Sequence, residues 1–257
     1  MSEPRDSKTR DSQPHDPEPG EYLRYSKMID HALLTPTMSD ADLDRGIELA
    51  VAYNVASICI LPWYLKALSE RLAGTTVKPS TVIGFPHGGQ AAMVKVAEAV
   101  QAIADGGVEL DMVVNISKVK SGRWDAVRDD IHGVVEATHS AGQKVKVIFE
   151  NCYLEDDEKI RLCEICTELS ADWVKTSTGF GTGGATMDDL RLMRKHAGDA
   201  IEVKAAGGVR TLEALREVRQ IGASRCGASA TAAILDPLRE QLGMDPIEPS
   251  TASSGGY

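Results

Sequence analysis

Between residues 28 and 227 the chain repeats one pattern: a short, β-branched apolar run, then a stretch with helical periodicity. The runs are Met28–His31, Val55–Ile60, Thr81–Phe85, Val108–Val114, Lys144–Glu150, Trp173–Thr176, Ile201–Ala205 and Arg225–Gly227. The helical stretches between them include Asp40–Tyr53, Gln90–Asp105, Trp124–Ala141, Glu155–Leu169, Met187–His196 and Thr211–Ile221. Ser39 is a good N-cap, and Gly106, Gly142, Gly198 and Gly222 stand where helices should stop. Strands separated by helices must pair in parallel, because a parallel pair needs a crossover. Eight such units in this length predict a closed (β/α)₈ TIM barrel; an open, doubly wound sheet is the alternative. The domain is expected over residues 21–243. Residues 1–20, charged and proline-rich, and residues 244–257 read as disordered tails.

Charge and cysteine content narrow the function classes. A formal net charge of -10 argues against nucleic acid as a partner, because phosphate backbones attract basic surfaces. A single phosphate on a small substrate remains compatible, since local glycine amides and a helix N-terminus hold one. The five cysteines do not suggest a disulfide framework in a chain of 257 residues. With no apolar leader and no membrane-length apolar run, the expectation is a cytoplasmic protein without a membrane partner. Cys163 and Cys166 form a lone pair inside a helical stretch, which is better read as core than as a metal site.

In a barrel, chemistry gathers at the carboxyl ends of the strands. Two runs carry a lysine at that end: Lys175 in Trp173–Thr176 and Lys204 in Ile201–Ala205. Taken alone, Lys175 also fits a lysine that snorkels to solvent at a strand end. Two lysines on neighbouring inner positions would repel, and one would lose its proton readily. A neutral amine is the nucleophile of Schiff-base chemistry. Glu109 and Asp111 lie on one face of a third apolar run, and an ion pair with a lysine would satisfy Asp111 there. That pairing is either purely structural or part of a proton relay with Lys204. Gly179, Gly207, Gly208, Gly227 and Ser229 follow the last three runs, where barrels commonly hold phosphate, and Arg210 adds a positive charge. His31 and His87 read as structural.

The motifs carry a resemblance. Val174–Lys175–Thr176–Ser177–Thr178–Gly179–Phe180 is similar to the Schiff-base signature of deoxyribose-phosphate aldolases. Lys204–Ala205–Ala206–Gly207–Gly208–Val209–Arg210–Thr211 is similar to that family's second-lysine loop. Ile29–Asp30–His31–Ala32–Leu33–Leu34, Ile83–Gly84–Phe85–Pro86 and Glu109–Leu110–Asp111–Met112–Val113–Val114 resemble its other motifs, in family order. The resemblance implies reversible cleavage of 2-deoxy-D-ribose 5-phosphate to acetaldehyde and D-glyceraldehyde 3-phosphate. Lys175 would form the Schiff base, Lys204 would perturb it, and Asp111 would relay protons. Gly179, Gly207, Gly208, Val209, Arg210, Gly227 and Ser229 would line the phosphate pocket, with Asp30, Cys59 and Thr178 bordering the substrate. It implies no cofactor and no metal, the iminium being the electron sink, and a homodimer or tetramer is expected. The terminal Tyr257, on a flexible tether, is a candidate tail residue for proton transfer. Thr35, Leu61, Ala206 and residues 229–233 depart from the family pattern and bear on substrate preference. The other readings are a Schiff-base aldolase for another phosphorylated aldehyde and a catalytically silent phosphate-binding barrel.

Overall fold

The computed structural model describes residues 19–248. In chain order the elements are α1 (Pro19–Ser26), β1 (Ile29–Leu33), α2 (Asp40–Ala52), β2 (Ser57–Ile60), α3 (Leu65–Arg71), β3 (Lys78–Ile83), α4 (Ala92–Ala104) and β4 (Glu109–Val113). There follow α5 (Ile116–Lys120), α6 (Trp124–Ser140), β5 (Lys144–Ile148), α7 (Asp156–Glu168), β6 (Trp173–Lys175), α8 (Met187–His196), β7 (Glu202–Ala206), α9 (Leu212–Ile221), β8 (Ala223–Ala228) and α10 (Thr231–Gln241). All eight strands are parallel, each pairs with the next, and β8 pairs with β1, so the barrel closes. The open-sheet alternative is thereby excluded.

Helix α9 shows how local sequence sets an element. Thr211 accepts the Ala214 N–H at its start, and Gly222 ends it at φ 108, a conformation that suits glycine. Between these caps Leu212, Leu215 and Val218 form one stripe, fully or almost fully buried. Each such side chain stabilises the fold by roughly 1.5–3 kcal/mol through burial. Along the strands the residues alternate. Leu110, Met112, Val145, Val147, Val174 and Val203 join the core between sheet and helices, while their neighbours Asp111, Lys146, Lys175 and Lys204 meet inside the barrel.

Several features differ from expectation. Helix α1 begins at Pro19, two residues before the expected start of the domain, and proline's fixed φ suits a first helical turn. Past residue 243 the chain stays with the domain, because Ile247 packs against the core. In α4 Val94, Val96, Ala97 and Val100 stand at helical spacing, and of these four Val96 packs against the core. The structure buries Lys95, Ala99 and Ala102, while Val94 and Val100 stand 45% and 55% exposed. The lysine goes inside because its ammonium is satisfied there: it lies 2.6 Å from Asp130 of α6 and donates to the Val113 carbonyl at 2.8 Å. Helices α1, α3, α5 and α10 were not among the expected stretches. Among the described residues no helix is long and apolar enough to cross a membrane.

Candidate active site

The barrel interior holds a cluster of charges drawn from six strands. Register brings them together. Asp111 of β4 pairs with Lys146 of β5, and Lys175 of β6 pairs with Lys204 of β7, which pairs in turn with Arg225 of β8. Asp30 of β1 pairs with Gly227 of β8, closing the ring. Asp111 is fully buried and uses both carboxylate oxygens. Its Oδ2 accepts from Lys175 Nζ at 2.8 Å and from Lys204 Nζ at 2.7 Å. Its Oδ1 accepts from Lys146 Nζ at 3.0 Å. Lys204 also lies 2.5 Å from Asp30 Oδ2, and Asp30 Oδ1 accepts from Arg225. Glu109 completes the network, accepting from Lys146 at 2.6 Å and from Arg225 at 2.7 Å.

The charge count decides the state of Lys175. Three carboxylates, Asp30, Glu109 and Asp111, face four basic groups, Lys146, Lys175, Lys204 and Arg225. With every group ionised the buried cluster carries one excess positive charge; with one lysine neutral it balances. Burial in low dielectric penalises the excess. Lys175 is the lysine with the weakest hold. Burial lowers its pKa and Lys204 lowers it further, against a single opposing carboxylate, Asp111. Burial acts on Lys204 too, but Asp111 and Asp30 together outweigh it and its pKa is raised. Lys146, facing Asp111, Asp30 and Glu109, is likewise raised in spite of burial. Burial pushes the Asp111 carboxyl up, and Lys146, Lys175 and Lys204 more than reverse this, so it stays ionised. The arrangement is one lysine of lowered pKa beside one of raised pKa, joined by a carboxylate that reaches both.

Cys59 of β2 sits at the edge of this cluster, its Sγ 4.0 Å from Asp111 Oδ2. Burial raises its pKa, with Asp111 adding to the effect, so it is held as a thiol. Gly227 leaves room beside the lysines: a Cβ there would lie 3.5 Å from Lys204 Cε. Above the cluster two loops close together. The Ala185 N–H, at the end of the loop after β6, donates to the Ala206 carbonyl at 2.9 Å. A Cβ on Gly184 would fall 2.6 Å from the Gly207 carbonyl carbon, so glycine is what lets these backbones meet. Thr178 and Gly179 lie in the first loop, and Gly207, Gly208, Val209 and Arg210 in the second. Val209 is buried in the core, whereas Gly208 and Arg210 are exposed. Ser229 is exposed between β8 and α10. Tyr257 lies outside the described residues.

Comparison with known proteins agrees with this geometry. The family model for DeoC/LacD family aldolases matches residues 25–235.

The chain belongs to that aldolase family.

A deoxyribose-phosphate aldolase of Rhodopirellula baltica is 66% identical, over 92% of this chain and 98% of its own length. One from Caldanaerobacter subterraneus subsp. tengcongensis is 47% identical, over 85% and 95%. The solved structure of the tetrameric deoxyribose phosphate aldolase from Aeropyrum pernix superimposes with a TM-score of 0.78 at 29% identity, covering 86% of this chain and 93% of that one.

Within this aldolase barrel, sequence reasoning missed Lys146, Arg225 and Glu150 as parts of the site. Lys146 had a readable signal. It stands two residues after Lys144 on the run beside Glu109 and Asp111, at the height where a buried acid needs a cation. Arg225, at the start of a run expected to be short, gave no comparable signal. Glu150 was expected to end a strand; it stands instead in a left-handed conformation just beyond β5, at φ 59 and ψ 62.

Proposed function

We propose that the chain is a deoxyribose-phosphate aldolase that cleaves 2-deoxy-D-ribose 5-phosphate to acetaldehyde and D-glyceraldehyde 3-phosphate through a Schiff base on Lys175. The observation that carries the mechanism is the shared Asp111 oxygen, with Lys175 Nζ at 2.8 Å and Lys204 Nζ at 2.7 Å. The neutral Lys175 amine attacks the C1 aldehyde of the open-chain sugar, and loss of water leaves an iminium. The C3 hydroxyl gives up its proton, the C2–C3 bond breaks, and its electron pair moves into the iminium to make an enamine. C3 departs as the aldehyde of glyceraldehyde 3-phosphate. Protonation of the enamine carbon and addition of the water lost earlier release acetaldehyde and restore Lys175. Lys204 and Asp111 supply and accept the protons, being already hydrogen-bonded to each other, with Asp111 also bonded to the nucleophile.

Gly179, Gly207, Gly208, Val209, Arg210, Gly227 and Ser229 are the proposed phosphate site, with Asp30, Cys59 and Thr178 bordering the sugar. The support is positional: the phosphate-site residues and Thr178 lie in or beside the loops after β6, β7 and β8, with the α10 N-terminus next to Ser229, while Asp30 of β1 and Cys59 of β2 lie against the buried charge cluster. A homo-oligomer is part of the proposal; the Aeropyrum pernix relative is tetrameric. The test is release of acetaldehyde from 2-deoxyribose 5-phosphate by the purified chain. Steady turnover supports the reading. A folded protein that releases none would make another phosphorylated aldehyde, or a silent barrel, the better account.

A further inference from the structure

Glu150 lies outside the proton-transfer cluster, yet its carboxylate is buried and its backbone conformation is uncommon for a side chain of this kind. On either side of it the chain is tied to β6. The Phe149 N–H donates to the Lys175 carbonyl at 3.0 Å, and the Asn151 N–H to the Thr176 carbonyl at 2.9 Å. Between these bonds Glu150 turns through φ 59, and only 2% of its surface stays exposed. A left-handed non-glycine residue with a buried charge carries two costs at once, and such positions persist where the surroundings require them.

The carboxylate acts on a single residue of the substrate loop. Its Oε1 accepts the Thr178 N–H at 3.1 Å, and its Oε2 accepts the Thr178 hydroxyl proton. The same hydroxyl oxygen accepts the Phe180 N–H at 3.0 Å, which ties off the turn containing Gly179. The loop folds directly over the acid: a Cβ on Gly181 would lie 3.0 Å from Glu150 Cδ. An ionised carboxylate only accepts hydrogen bonds, so the direction of the Thr178 hydroxyl proton is fixed. One of that oxygen's two acceptor positions is taken by Phe180, and one is left. Thr178 keeps 7% of its surface open.

We propose that Glu150 is a positioning residue that sets Thr178 as a hydrogen-bond acceptor, so that the loop after β6 selects an aldehyde carrying a free hydroxyl. This rests on the aldolase reading above. In the synthetic direction the partner of acetaldehyde is D-glyceraldehyde 3-phosphate, whose only free hydroxyl is on C2. The Thr178 hydroxyl oxygen accepts the hydrogen bond that this C2 hydroxyl donates. In Glu150→Gln the side-chain amide can donate to Thr178, the hydroxyl proton is released from its fixed direction, and selection weakens.

The experiment compares kcat/KM for D-glyceraldehyde 3-phosphate with that for 3-phosphonooxypropanal, the same aldehyde without the hydroxyl, each with acetaldehyde. Parent, Glu150→Gln, Thr178→Val and the double variant are measured. The proposal expects either single change to reduce the preference for the hydroxylated aldehyde about tenfold, the effect of one hydrogen bond. It expects the double variant to be no worse than Thr178→Val. Equal losses on both aldehydes, an unchanged preference, or losses that multiply in the double variant would overturn it. Should Glu150→Gln not fold, Thr178→Val alone decides, and an unchanged preference overturns the proposal. A parent that makes no aldol product from acetaldehyde and glyceraldehyde 3-phosphate would sink the aldolase reading and this inference with it. An active parent with indifferent variants would sink this inference alone.

Discussion

Lys175 and Lys204, register partners on adjacent strands, converge on one oxygen of Asp111, at 2.8 Å and 2.7 Å. The two ammonium positions are thus held side by side, and the lysine with one carboxylate partner yields its proton before the lysine with two. Replacing Lys204 by Met removes the charge that helps lower Lys175. The acidic limb of kcat/KM then moves to higher pH, because attack needs Lys175 neutral and its pKa has risen. The rate at neutral pH should fall by about 10²–10⁴, the usual range for a lost acid–base partner. A pH–rate profile of Lys204→Met checks both.

Asp111→Asn removes the carboxylate that three lysines share. Breaking a buried ion pair from one side costs about 3–5 kcal/mol of stability. Activity should fall as well, since Lys204 loses its path to the nucleophile. Urea unfolding together with acetaldehyde release separates the two effects: a variant that keeps parental stability would contradict the charge balance inside the barrel.

His31 makes an acid-stability prediction. It is buried, its Nδ1 lies 2.9 Å from Thr231 Oγ1, and burial pulls its pKa down from 6.5 to about 4. The folded chain therefore holds it neutral where the unfolded chain binds a proton. Its contribution is complete above pH 6.5 and is lost as pH falls toward 4. The loss across that window amounts to about 3 kcal/mol. Asp30 and Asp111, with pKa values lowered from 3.8, lose their own contributions only as pH falls into the range where unfolded carboxyls take up protons, so above that range they do not mask it. Urea unfolding of parent and His31→Gln between pH 7 and 4.5 should show the steeper decline in the parent.

Lys95→Met leaves Asp130 buried without its ammonium partner. The expected destabilisation is about 3–5 kcal/mol, and Lys95→Met with Asp130→Leu should recover much of it, because an apolar pair replaces an ionic one. Thermal unfolding of the single and double variants measures this. Equal losses in the two would show that the Lys95 contact to the Val113 carbonyl, and not the ion pair, is the important one.

What was legible in the sequence follows from where its signals lie. The strands were legible because β-branched runs alternate with capped helices, and a barrel is the one closed arrangement of that repeat. That Lys175, Lys204 and Asp111 meet was legible because charge at the inner end of an apolar strand needs a reason. Lys146 was overlooked because it sits in mid-strand, where its cost is hidden until Asp111 and Glu109 are seen beside it. The buried stripe of α4 was obscured because valines outnumber the one lysine that turns inward, and its partners, Asp130 and the Val113 carbonyl, lie on other elements. Glu150 depends on a backbone conformation that no residue pattern announces. Helix α10, with Pro237 in its interior, lacked a clean periodic pattern.

The most direct test of the central claim is borohydride reduction of the protein in the presence of acetaldehyde or 2-deoxyribose 5-phosphate, followed by peptide mass spectrometry. The account predicts a reduced adduct on Lys175 alone, absent in Lys175→Ala. An adduct on Lys204 or Lys146 in place of Lys175, or none from folded protein that releases acetaldehyde, would contradict it.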